Sequence, residues 1–145
     1  MNAVESFLTT EQEVEVIQAI REAEKNTSGE IRVHLENNTE KPTLERAKEV
    51  FLYLKMDVTK EKNGVLIYVG IVSKQIAIIG DTGIDKLVPS DFWEAELQLI
   101  NDYFAVEKFE KGLVASIIKV GDKLKEFFPY QSDDTNELSD AISKG

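Results

Sequence analysis

Lys60-Glu61-Lys62-Asn63-Gly64-Val65-Leu66-Ile67-Tyr68-Val69-Gly70-Ile71-Val72 is the stretch that decides the fold. Charge stops at Asn63-Gly64, and apolar side chains then occupy both odd and even positions. Successive strand residues point to opposite faces, so apolar residues of both parities require cover on both sides. The spacing predicts the central strand of a layered sheet. From Gly64 to Val72 the run is nine residues, about half of the roughly 20 that cross a bilayer.

Downstream, Ser73-Lys74 is a short turn into Gln75 to Gly80, the second arm of a hairpin that Asp81-Thr82-Gly83 ends. Upstream, Ile31, Val33 and Leu35 alternate with Glu30, Arg32, His34 and Glu36, which predicts a strand with one buried and one solvated face. Between the two strands, Thr43 reads as the cap of a helix with Leu44, Ala47, Val50, Phe51 and Leu54 on one stripe. An earlier helix has Thr10 and Glu13 at capping-box spacing and Val14, Ile17, Ala19, Ile20 and Ala23 at helical spacing. Asn26-Thr27-Ser28-Gly29 stops it. After the hairpin the chain reads as helical. Ser90 is placed to cap Phe92, Trp93, Leu97, Ile100 and Phe104, and a last helix from Phe109 through Leu113, Ile117, Val120, Leu124 and Phe127 stops at Pro129. The aromatic residues read as core filling rather than a ligand cage.

A helix between the first two strands makes them parallel, and the hairpin makes the third antiparallel. The expected fold is an α/β/α sandwich with a small mixed sheet, a βαββ core of three to four strands flanked by helices. A fourth strand has no assignable position. The domain is expected over residues 1–129. Residues 130–145 form an acidic tail in which Leu138 and Ile142 allow either a short helix or a mobile end.

Composition bounds the function. The chain has 145 residues, 27 acidic and 17 basic, for a net charge of −10. That length is one domain able to bury a core without staples, and 42% hydrophobic content is too high for a disordered chain. So acidic a surface repels polyanions, so nucleic acid is not an expected partner. With no Cys and one His, thiolate catalysis, cysteine-ligated zinc and multi-His metal sites are excluded. The first ten residues carry no basic and apolar leader pattern. A soluble, cytoplasmic chain without direct membrane insertion is therefore expected.

Strand directions bring Ser28-Gly29-Glu30, Asn63-Gly64 and Gly80-Asp81-Thr82-Gly83 to one rim, with Asp85, Asp91 and Glu94 close behind in sequence. Carboxylates, an amide and loop carbonyls are the oxygen donors a hard cation takes. Asp81, Asp85, Asp91, Glu30 and Asn63 are therefore candidate ligands for calcium or another divalent cation. Turn chemistry is the competing reading, since Asp, Asn and Gly end strands widely and acids suit a helix N-terminus. The pattern is not an EF-hand, because the later ligands after Asp85 are missing. Arg32 and His34 form a secondary polar site. There, acid–base work on an anion competes with plain cross-strand pairing. No Gly-x-Ser-x-Gly, Walker A or dinucleotide-binding pattern is present.

Thr27 through His34, Lys60 through Val69, and Gly80-Asp81-Thr82-Gly83-Ile84 with Phe92-Trp93 resemble the TPM domain family, in its short, soluble bacterial branch. Gly112-Leu113, Val120-Gly121 and Phe128-Pro129 match the same pattern, so the resemblance covers about residues 10–129. It implies an α/β/α sandwich, divalent-metal binding at the acidic rim through Glu30, Asn63 and Asp81, and a family label that includes phosphatase activity. The anchored members' signal peptide and transmembrane helix have no counterpart here, so their periplasmic and thylakoid roles do not carry over.

The expected function is a cation-binding module of adaptor or chaperone type with an unidentified protein partner. The alternative is a metal-assisted phosphatase, a phosphomonoester hydrolase whose cation polarises a phosphoryl oxygen. The sequence nominates no nucleophile for it and leans against an enzyme.

Overall fold

Val65, Leu66, Ile67, Tyr68 and Val69 are all fully buried, as apolar residues of both parities require. They lie in β2 (Gly64–Gly70), inside a four-stranded sheet of order β3-β2-β1-β4. The computed structural model describes residues 3–38, 40–131 and 138–145. In chain order it contains α1 (Ala3–Ser6), α2 (Thr10–Glu24), β1 (Glu30–Glu36), α3 (Thr43–Tyr53), a 3-10 turn (Met56–Val58) and β2. There follow β3 (Gln75–Gly80), α4 (Thr82–Asp85), α5 (Phe92–Ala105), α6 (Phe109–Phe127) and β4 (Ser143–Lys144). β1 and β2 are parallel, in register from Glu30 opposite Gly64 to Glu36 opposite Gly70. β3 returns antiparallel, with Gly80 opposite Val65. The expected mixed sheet is present.

One face of the sheet presents Ile31, Val33, Leu35, Val65, Ile67 and Val69 to α2, α5 and α6, where Ile20, Ile100, Leu113, Ile117 and Leu124 close the main core. Each such aliphatic side chain contributes about 1.5–3 kcal/mol by leaving water. Phe92, Trp93, Phe109, Phe127 and Phe128 border this core, the place expected for them. The other face places Leu66, Tyr68 and Ala77 under Ala47, Val50 and Phe51 of α3, with Met56 and Leu138 at the edge. Helices cover both faces, giving the three-layer sandwich. Among the described residues no helix is long and apolar enough to cross a membrane.

Four local readings change. The capping box on α2 is Thr9 with Gln12, one residue before the Thr10–Glu13 pair; the Thr9 hydroxyl accepts from the Gln12 N–H, and the Gln12 side chain accepts from the Thr9 N–H. Pro42, not Thr43, precedes α3, and the Thr43 hydroxyl instead donates to the Gln75 side chain. Asp91, not Ser90, holds the N-cap position of α5, without a side-chain cap bond. The fourth strand comes from the tail. β4 pairs in parallel with β1, His34 opposite Ser143, and residues 138–145 contain no helix. The polar face of β1 meets Arg46 of α3, Tyr68 and the Leu138 backbone, and Glu30, His34 and Glu36 are buried where solvent was expected.

Candidate functional site

The three strand ends meet at Gly64. Glu30 lies opposite it in the β1–β2 register, the Glu30 N–H donates to the Asn63 carbonyl at 3.3 Å, and the Asp81 N–H donates to the Gly64 carbonyl at 2.9 Å. The Gly83 N–H closes the rim onto the Lys62 carbonyl at 2.7 Å. Gly83 is required there: a Cβ would stand 2.1 Å from the Glu61 carbonyl oxygen, inside any van der Waals distance. Asn63 is buried, and its amide donates to the Ser28 hydroxyl at 3.1 Å; that hydroxyl donates to the Glu61 carboxylate at 2.5 Å. The convergence read from strand direction is the observed one.

The carboxylates of the rim diverge. Asp81 caps α4 by accepting the Thr82 N–H on Oδ1 at 2.7 Å, and its Oδ2 is buried without a hydrogen bond. Asp85 accepts the Trp93 indole N–H at 2.8 Å. Glu30 turns to the α3 side of the sheet and accepts the Leu138 N–H at 2.6 Å. Asp91 stands exposed at the start of α5. Among the described residues, no group of three or more His, Asp or Glu side chains is placed to hold a metal ion.

The polar face of β1 is a second cluster. Arg46 from α3 makes a two-pronged pair with Glu36, Nε to Oε2 at 2.7 Å and Nη2 to Oε1 at 2.9 Å. Tyr68 donates its hydroxyl to Glu36 at 2.5 Å, and His34 Nε2 lies 2.9 Å from Glu36 Oε1. Burial pushes the Glu36 carboxyl up, but the bonds from Arg46, Tyr68 and His34 outweigh it and hold it at about 2. Burial pushes His34 down against the pull of Glu36, so the ring is neutral near pH 7. Its other nitrogen meets the Ser143 hydroxyl at 2.9 Å. Ser143, His34 and Glu36 thus stand in a row, yet Glu36 is committed to Arg46 and Tyr68. We read the row as the anchor of β4. Arg32, on the same face, has a buried Nε without a hydrogen bond, and burial lowers its pKa.

Comparison with known proteins places this architecture. The model of the TPM domain family, labelled TPM_phosphatase, matches residues 1–123. The chain belongs to the TPM domain family. This TPM domain is similar to BA42 of the psychrophilic bacterium Bizionia argentinensis, whose NMR structure superposes with a TM-score of 0.91 at 50% identity over 100% of both chains. The N-terminal domain of a protein from P. gingivalis shares the fold at 18% identity, TM-score 0.66, over 87% of this chain and 83% of its own. The N-terminal domain of cg2496 from Corynebacterium glutamicum does so at 11% identity and TM-score 0.66, over 90% and 81%. No curated protein matches.

The TPM domain also holds groups that periodicity does not reveal. Glu24, at the end of α2, accepts the Ile31 N–H at 2.8 Å. Burial, and a hydrogen bond with Asp140, raise it to about 9. Asp140 also faces Arg21 at 3.6 Å, so this part of the tail is tied to α2. Only charge near a strand entry hints at Glu24. Arg46, Glu61 and Ser143 carried no signal of their role, because each finds a partner on another segment: Arg46 with Glu36, Glu61 with Ser28, and Ser143 with His34.

Proposed function

We propose that this TPM domain is a non-catalytic binding module of adaptor type whose strand-end rim takes a hard divalent cation, calcium foremost. The observation that carries the reading is Asp81: one oxygen is fixed by a backbone N–H and the other is buried with no donor. A buried carboxylate oxygen left unmatched has a strong field that a cation relieves. The fit is that of an open site rather than a cage. Glu30 and Asp85 already accept from Leu138 and Trp93, so Asp81 is the anchor, while Asp85, Asp91, Glu30 and Asn63 act through charge or intervening water. Such a site binds weakly, with Kd on the order of 0.1–1 mM. An adaptor reading leaves room for a protein partner, and the family label supplies the competing one, a metal-assisted phosphomonoesterase.

Thermal unfolding with and without calcium tests it. Binding to the folded state alone stabilises by about 2.7 kcal/mol at a hundredfold excess over Kd, so calcium should raise Tm in the wild type. Asp81→Asn should lose most of that rise while unfolding normally without calcium. No shift, or the same shift in the variant, refutes the site. Phosphomonoester turnover that needs both the metal and Asp81 would replace the binding reading with the enzymatic one.

A further inference from the structure

The outer surface of the α2–α6 pair carries a feature that the rim does not use. The two helices run parallel. Glu15 and Glu110 line one end of the space between the helices, and Ala23 meets Gly121 further along, where a Cβ on Gly121 would lie 2.7 Å from that of Ala23. Between these points lies an open groove of about 420 Å³ whose floor is Ala19, Ala23, Val114 and Ile118. Ile118 is 54% exposed, although aliphatic. The lining residues that carry charge are all acidic: Glu15, Glu110 and Glu22, the last paired with Lys25 at 2.8 Å.

Glu15 and Glu110 both line the groove, one from each helix. Two neighbouring carboxylates repel one another when both are ionised. A Lys or Arg brought between them would relieve that repulsion and pair with both groups. The small side chains of Ala19 and Ala23 let a third backbone approach, as ridge-into-groove packing on a helix pair requires. We propose that the α2–α6 groove docks an amphipathic helix of a partner protein, with its apolar face on Ile118 and Val114 and a basic residue between Glu15 and Glu110. This is the helix-in-groove mode of recognition, and the −10 charge of the chain steers a basic partner toward it. It stands independently of the cation site.

The probe is a synthetic amphipathic helix of Leu and Lys, titrated into the labelled protein at physiological salt and followed by amide NMR. Shifts should concentrate on Ala19, Ala23, Val114 and Ile118. Ile118→Asn and Glu110→Gln should each weaken binding about tenfold or more, with the free spectra confirming that both variants fold. Glu45→Gln, on α3 across the sheet, should have no effect. The proposal is overturned by no binding, by shifts spread over the acidic surface, by equal weakening from Glu45→Gln, or by equal binding of a Leu and Glu peptide. A concentration-dependent dimer abolished by Ile118→Asn would assign the groove to a second copy of the chain and overturn the partner helix.

Discussion

Asp81 and Glu36 are both carboxylates at strand ends, and what surrounds each decides its role. Glu36 is saturated by Arg46, Tyr68 and His34. Removing it leaves Arg46 with Glu49 alone, at 3.2 Å, and takes from the Tyr68 hydroxyl the carboxylate that accepts it. Glu36→Ala should cost about 3 kcal/mol, the low end for a broken buried pair, because the Arg46 side chain is 36% exposed. Its folded value of about 2 lies below the ordinary value of about 4.3. Its stabilising contribution is therefore complete above that ordinary value and is lost as pH falls through about 2. Denaturant melts across the acid range should show a shallower decline in Glu36→Gln than in the wild type. Glu24 runs the opposite way. Held near 9, it is neutral in the fold and favours the folded state fully only below its ordinary value, losing that contribution as pH rises toward 9. Glu24→Gln should gain stability relative to the wild type on moving from mildly acid to mildly alkaline buffer.

At the scale of elements, β2 was legible because its apolar run leaves one interpretation, and Ile67 and Leu113 are fully buried as that interpretation requires. Truncating either to Ala should cost about 2–5 kcal/mol in equilibrium unfolding. β1 was half legible. Alternation marked its apolar face, but its charged face is buried because Arg46 and Tyr68, from other elements, satisfy Glu36. No local pattern carries that information. β4 has two residues, too few for any period. The α2 cap shows a subtler degeneracy: Thr9–Gln12 and Thr10–Glu13 both fit the box, and only the extended backbone of Thr9 selects the first. A chain ending at residue 137 should lose stability, and its His34 pKa should climb toward the ordinary value of about 6.5 as the ring regains water. NMR titration of the single His reads this directly.

For the molecule as a whole, strand direction alone brought Ser28, Asn63, Gly64 and Asp81 to one rim, and the backbone bonds at Gly64 and Lys62 show that meeting. What direction cannot give is where each carboxylate points. Glu30 bonds with Leu138 and Asp85 with Trp93, contacts over long or irregular stretches that no spacing rule anticipates. Asp81 keeps the buried oxygen on which the cation reading rests. With ten excess negative charges, diffuse attraction of calcium is expected everywhere on the surface, so location is the decisive quantity. Calcium titration followed by amide NMR, in the wild type and in Asp81→Asn, measures it. Saturable shifts centred on residues 81–85 in the wild type, absent from the variant, are the predicted result. Small unsaturated shifts scattered over the acidic surface, or an unchanged pattern in Asp81→Asn, would contradict the account.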